Sequence, residues 1–201
     1  MISYRPRLVV MLKEPHPGRV KTRLGRDIGL TRSAWWFRHQ SAALIRRLRD
    51  PRWDLILAVA PDQEGLQSRI WPADLPRVPQ GGGDLGDRMV RQFHSIAPGP
   101  MCIIGADIPG INRARIAEAF KALGDHDAVF GPADDGGYWL IGLKRMRPVP
   151  PKLFEQVRWS TEHALADTMA TLPDHKTAQI TTLRDVDTVA DLHALAKSRG
   201  A

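Results

Sequence analysis

"MCIIGADIPGINRARIAEAFKALGDHDAVFG" runs from Met101 to Gly131, and its reading decides the fold. It opens on an apolar run at 101–105, turns at Asp107 and Pro109, and carries a helical pattern from Asn112 to Gly124. It closes on a second apolar run at 128–131. Both runs are apolar throughout instead of alternating. Strands buried on both faces read this way, as in a parallel sheet covered by helices. Strand, helix and strand in succession make one unit of an α/β chain.

The same alternation extends in both directions. Further strand-like runs are "RLVVML" (7–12), "DLILAVA" (54–60), "YWLIGL" (138–143) and "QITTL" (179–183). Helical patterns cover 31–50, 84–96, 160–172 and 187–200. The first is expected to start at Thr31 as N-cap, to bury Phe37, Ser41, Leu44 and Leu48 on one stripe, and to stop at Pro51. Trp35, Trp36 and Phe37 at helical spacing fit core packing better than base stacking. "WPADLPRVPQ" (71–80) holds Pro72, Pro76 and Pro79, and no strand is expected there. No linker, repeat or low-complexity tract interrupts the pattern, so 1–201 reads as a single α/β domain.

Charge is unevenly placed. The chain of 201 residues carries a net +7, yet residues 1–52 hold 13 Lys and Arg against three acids. A patch of this kind serves nucleic acid, membrane or small phosphates. Arg46, Arg47, Arg49 and Arg52 fit a solvated helix face. The cations of "KEPHPGRVKTRLG" (13–25) instead crowd a turn after the first strand. No apolar run is long enough to span a bilayer. The amino-terminal apolar segment is too short for a signal peptide. A single cysteine, Cys102, lies in a strand-like run, which points to a reducing cytoplasm.

Ligands of open α/β sheets bind beyond the carboxyl ends of the strands. Four polar insertions follow strands here. In the first, Val20 stands where a phosphate-binding Walker loop needs glycine before Lys21-Thr22. Its physical case remains: Gly18 permits close backbone approach, and Lys and Arg supply charge to phosphate oxygens. In the second, Asp107 can hold Mg²⁺, which takes one or two carboxylates plus substrate phosphates. Asp185 or Asp187 of "LRDVDTVADL" can give a second carboxylate, or can cap the last helix. In "GPADDGGYWLIGL" (131–143), Asp134 or Asp135 can accept from a substrate hydroxyl, and Gly136-Gly137 permit positive φ. "GGGDLG" (81–86) has the spacing of a dinucleotide fingerprint, but that fingerprint must follow a strand directly. With no strand expected at 71–80, the NAD reading is rejected. The loop remains suited to a nucleotide base or ribose, and Arg88 to phosphate. The seven histidines show no zinc spacing, and there is no serine nucleophile elbow or DNA-reading motif.

In this order, "KEPHPGRVKTRL", "QGGGDLGDRM", "GADIPG", "FGPADDGGYWLIGL", "WSTEHALADT" and "DVDTVADL" resemble the bacterial DUF2064 proteins, from residue 8 to about 196. That family sits in the GT-A glycosyltransferase-like, nucleotide-diphospho-sugar transferase superfamily. The chain is also similar to 2-phospholactate guanylyltransferases, through the Lys-Thr-Arg-Leu loop, and to molybdopterin nucleotidyltransferases. The resemblance implies a three-layer α/β/α sandwich with a mixed, mainly parallel sheet. It would put Lys13, Arg19, Lys21 and Arg23 on a triphosphate or pyrophosphate, and Gly83, Asp84 and Arg88 near the nucleotide. Asp107 would bind metal, Asp187 would complete the metal site, and Asp135, Gly136 and Gly137 would face the acceptor. Superfamily members that transfer sugars usually carry Asp-x-Asp, whereas here the sequence is Asp107-Ile108-Pro109.

The expected function is nucleotidyl transfer from a nucleoside triphosphate to a small-molecule acceptor, dependent on Mg²⁺ or Mn²⁺. Lys21, Arg23 and Asp107 are its expected catalytic residues. Glycosyl transfer from a nucleotide-sugar is the alternative. A non-catalytic phosphate or nucleic-acid binding module is the second, with nucleic acid the less favoured partner. Base, acceptor and oligomeric state stay open.

Overall fold

Seven strands form one sheet in the computed structural model, which describes residues 5–184, 186 and 188–191. They are β1 (Arg7–Lys13), β2 (Asp54–Ala60), β3 (Arg77–Pro79), β4 (Met101–Gly105), β5 (Ala128–Pro132), β6 (Tyr138–Leu143) and β7 (Thr177–Gln179). Their spatial order is β3-β2-β1-β4-β6-β5-β7. All neighbouring pairs are parallel except those of β6, which runs antiparallel to β4 and β5. The helices are α1 (Thr22–Ile28), α2 (Leu30–Leu48), α3 (Asp62–Gln67), α4 (Leu85–Ser95), α5 (Arg113–Asp125) and α6 (Ala164–Ala170).

Side chains alternate across a strand, so β1 feeds two cores. Leu8, Val10 and Leu12 join Phe37, Leu44 and Leu48 of α2 and Ile116, Ala119 and Leu123 of α5. Val9 points the other way, into a cluster with Met89 and Phe93 of α4, Phe154 and Ala164. A core on each sheet face makes the expected three-layer α/β/α sandwich. Burying each such Leu or Phe contributes about 1.5–3 kcal/mol. Among the described residues, no helix is long and apolar enough to cross a membrane.

The strands buried on both faces fall where the apolar runs place them: β2, β4 and β6 have the expected bounds. Elsewhere the structure corrects the reading. A short strand, β3, does occur in the proline-rich segment at 71–80. It sits at the sheet edge, where Pro79 need donate nothing further. The strand expected at 179–183 lies at Thr177–Gln179 instead, and Leu183 keeps only an isolated bridge to Ala133. The end of the basic turn is helical, from Thr22 in α1, and Gly29 rather than Thr31 precedes α2. Residues 160–163 precede α6 as turns. The helix expected at 187–200 is described only at 188–191, where 189–191 are helical; the remainder lies outside the described residues.

Trp36 packs at the edge of the core and Phe37 within it, but Trp35 is 63% exposed and stacks on His39 with ring centroids 3.9 Å apart. The arginines at the end of α2 are not merely solvated. Arg49 pairs with Asp74, Arg52 pairs with Asp50, and half-buried Arg47 reaches across to the loop after β4.

Candidate functional site

Because β1 to β5 are mutually parallel, their carboxyl ends share one rim, where antiparallel β6 begins. The chain moves from β1 to β2 on one side, while β4 lies on the other side of β1. The crevice between β1 and β4 is therefore the topological switch point, the usual ligand position in such sheets.

Lys21 and Asp107 meet there. Lys21 Nζ lies 3.1 Å from Asp107 Oδ2; the lysine side chain is 5% exposed and the aspartate 41%. Lys21 sits before α1 with φ 45° and ψ 48°. For a non-glycine residue that left-handed conformation costs roughly 1–2 kcal/mol, so the surrounding chain enforces it. Arg47 braces the opposite strap. Its Nε donates to Ile111 O at 2.8 Å and its Nη2 to Pro109 O at 3.0 Å, which fixes the turn that carries Asp107.

A cleft of about 400 Å³ opens at the ends of β1 and β2. Lys13, Arg19 and Arg88 line it together with Gly81, Gly82 and Asp62. The first loop and the glycine loop, about 60 residues apart in sequence, thus form one cationic cleft. Buried Gln80 fastens the glycine loop to the sheet by donating Nε2 to Leu12 O and Ala58 O, each at 2.8 Å. Gly81 N donates to Asp62 Oδ1 at 3.0 Å. Arg91 donates to Gln80 O and Gly82 O, and Arg88 Nε to Gly83 O at 3.1 Å.

Gly83 has φ +94°, and a Cβ there would lie 2.3 Å from an Asp87 carboxylate oxygen. Asp84 is the N-cap of α4, and its side chain accepts from Asp87 N while Asp87 accepts from Asp84 N. This arrangement replaces the ground on which the dinucleotide reading was set aside. A strand does precede the glycines, but the carboxylates of Asp84 and Asp87 take up two of the amides at that helix start, those of Asp87 and Asp84.

The acceptor-side residues lie on the β5–β6 turn. Asp135 Oδ1 accepts from Gly137 N at 2.9 Å. Gly136 has φ +82°, and a Cβ on it would come within 2.2 Å of Glu162 O. Leu165 N donates to Gly136 O at 3.1 Å, so residues 162–165 pack directly on this turn. Arg158 clamps the same segment through Asp167, with contacts of 2.8 Å from Nε and Nη2. That guanidinium holds the Asp167 carboxyl well below the usual carboxylate range.

Arg23 is exposed in the first turn of α1. Asp185 and Asp187 lie outside the described residues. Cys102 is fully buried, which pushes its thiol pKa far up and removes it as a nucleophile.

Sequence reasoning missed Asp62, Gln80, Arg91 and the bracing role of Arg47. Gln80 opens the glycine-loop motif but carries no charge to mark it, Asp62, Arg91 and Arg47 lie in none, and each acts through a contact with backbone distant in sequence. Glu14, which stands among the cations of the first loop, is likewise not singled out by the sequence. It is 4% exposed and accepts from Trp71 Nε1 at 2.6 Å.

The DUF2064 family, described as "Uncharacterized protein conserved in bacteria", matches residues 43–161. No curated protein matches the sequence. Among solved structures, the chain is similar to a protein of Desulfovibrio desulfuricans G20 that carries the provisional name nucleotide-diphospho-sugar transferase. The two are 29% identical with a TM-score of 0.86, over 98% of this chain and 88% of that one. The fold is shared with CMP:2-keto-3-deoxy-manno-octonic acid synthetase in complex with CTP, at 11% identity and TM-score 0.60 over 98% and 99% of the chains. It is shared also with Rv0371c of Mycobacterium tuberculosis H37Rv in complex with manganese, at 15% identity and TM-score 0.56 over 98% and 100%.

Proposed function

This chain belongs to the DUF2064 family, and from that premise we propose that it is a nucleotidyltransferase dependent on Mg²⁺ or Mn²⁺. The carrying observation is the cleft itself. Lys13, Arg19 and Arg88 converge there with Gly81 and Gly82, and the loop that carries Lys13 and Arg19 also carries Lys21, which pairs with Asp107. Such a site suits a polyphosphate, whose oxygens need cations and close backbone approach.

Asp107 fits a divalent cation that is shared with substrate phosphates, since it is partly exposed and Mg²⁺ needs only one or two carboxylates. Asp187 is the proposed second carboxylate. When bound, the cation would neutralise charge developing on the phosphates. Lys21 would hold the leaving pyrophosphate with Lys13, Arg19 and Arg23. Gly83, Asp84 and Arg88 would face the nucleoside, with Arg88 and Arg91 keeping the glycine loop in place. Asp135, Gly136 and Gly137 would border the acceptor. An acceptor oxygen forms a bond to the α-phosphorus as the bond to pyrophosphate breaks. No covalent protein intermediate is needed, and the work is positioning plus electrostatic stabilisation.

The similarity to a protein named for nucleotide-diphospho-sugar transfer supports glycosyl transfer as the second reading. Phosphorus NMR of the chain with triphosphates, or with nucleotide-sugars, and candidate acceptors separates the two. Pyrophosphate release supports the proposal, and nucleoside diphosphate release supports the rival. If neither nucleotide class binds, in thermal-shift assays with and without Mg²⁺, both readings fail.

A further inference from the structure

On the wall of the cationic cleft, at Glu14, begins a group of side chains to which the proposed nucleotide binding gives no role. Glu14 and His16 come from the loop after β1, and Glu64 from α3. His16 Nε2 contacts Glu64 Oε1, and one ligand atom from each of the three residues lies within 4.8 Å of the other two. We propose that these residues form a site for a divalent transition cation, distinct from the Asp107 position, with Zn²⁺ as its probe.

Three observations carry the proposal. The first is charge. Two carboxylates face one imidazole, and Glu14 is 4% exposed. Among the described residues, the one hydrogen bond to its side chain comes from the neutral indole of Trp71. A buried carboxylate without a cationic partner is costly, and a divalent ion supplies the missing charge. The second is the donor set. One imidazole nitrogen with two carboxylate oxygens suits Zn²⁺ or Mn²⁺, whereas Mg²⁺ prefers oxygen alone. Ligands about 2.0–2.2 Å from a common ion stand no more than about 4.4 Å apart, so small side-chain rotations close the set. The third is support. Trp71 holds the Glu14 carboxylate as outer-shell donors hold metal ligands, and His16 N donates to Glu14 O at 2.8 Å, fixing the relative placement of two ligands.

Glu14 also lines the cleft, so the fourth position of a bound ion would open toward whatever occupies it. Three protein ligands and one open position are the arrangement of a zinc site that exchanges a ligand. The proposal does not depend on the nucleotidyl reading, because the site is complete without a nucleotide.

The test uses the full chain and the metal alone. After incubation with Zn²⁺ and exhaustive dialysis, elemental analysis is expected to find about one equivalent per chain, and melting is expected to shift upward. His16→Ala should lose that equivalent, as should Glu64→Gln. Both side chains are 40% exposed or more, so these variants should keep the fold. Asp107→Asn should retain it, which separates this site from the proposed nucleotide-linked metal. The proposal is overturned if the unaltered chain holds no Zn²⁺ after dialysis. It is equally overturned if His16→Ala and Glu64→Gln hold as much as the unaltered chain, or if Asp107→Asn releases the ion.

Discussion

The two flanks of the switch point are built in opposite ways. On the β1–β3 flank, the loops stand apart and leave a cleft walled by cations, with Gly82 facing open space. On the β5–β6 flank, the glycine turn is covered: Gly136 packs on the Glu162 backbone, and Asp135 spends an oxygen on its own turn. Glycines that look alike in sequence thus serve opposite ends. One set leaves room for a ligand, while the other lets two segments of chain touch. On the proposed reading, the first flank would take the polyphosphate, while the second borders the acceptor as a rigidly packed turn.

The strongest challenge to this contrast is removal of the cation between the flanks. Lys21→Ala is expected to lower turnover by about 10²–10³-fold, the usual cost of one electrostatic contact to a transition state. Its far-ultraviolet dichroism should be unchanged. Full activity in that variant would strip the switch point of its role. Next comes Gly136→Ala, where a methyl must enter Glu162 backbone at φ +82°. A loss of about 3 kcal/mol in denaturant unfolding is expected, combining overpacking with left-handed strain. Trp71→Phe should cost roughly 1–3 kcal/mol, by leaving the buried Glu14 carboxylate without its donor. Gly82→Ala sharpens the comparison from the other side. Nothing lies within 4 Å of the added carbon, so stability should change by less than about 0.5 kcal/mol while nucleotide affinity falls.

The smallest effect concerns acid. Arg158 depresses the folded-state pKa of Asp167, so the pair contributes stability above the unfolded carboxyl value of about 3.9. That contribution is lost as pH falls through the lower folded value. Asp167→Asn should flatten the unfolding-versus-pH curve below about pH 4, and little above it.

Sequence reveals the centre of this molecule better than its edges, for a physical reason. The central strands β1, β4 and β6 are buried on both faces, and only continuous apolar runs satisfy that environment. Edge strands β3 and β7 have three residues each and one neighbour, so burial places little constraint on them. Helix α3 is six residues long and shows no period to read. Of the candidate site, Lys13, Arg19, Lys21 and Asp107 stand out in the sequence because charge directly after a buried strand is conspicuous, and Arg88 because it follows the glycine run. The meeting of Lys13, Arg19 and Arg88 in one cleft, and of Lys21 with Asp107, is visible only in three dimensions. Gln80, Arg47 and Glu14 stayed hidden because their importance comes from burial and from partners 57 to 68 residues away.

The reciprocal Asp84–Asp87 cap carries a consequence for how ligands are held. By filling the amino end of α4 with its own acids, the chain forgoes the fixed dipole that many phosphate sites exploit. On the proposed reading, anion capture would fall to long, partly hydrated side chains, whose attraction fades with ionic strength over a Debye length of about 8–10 Å. Occupancy of the cleft should therefore track the salt of its surroundings far more steeply than in proteins that grip phosphate with backbone amides.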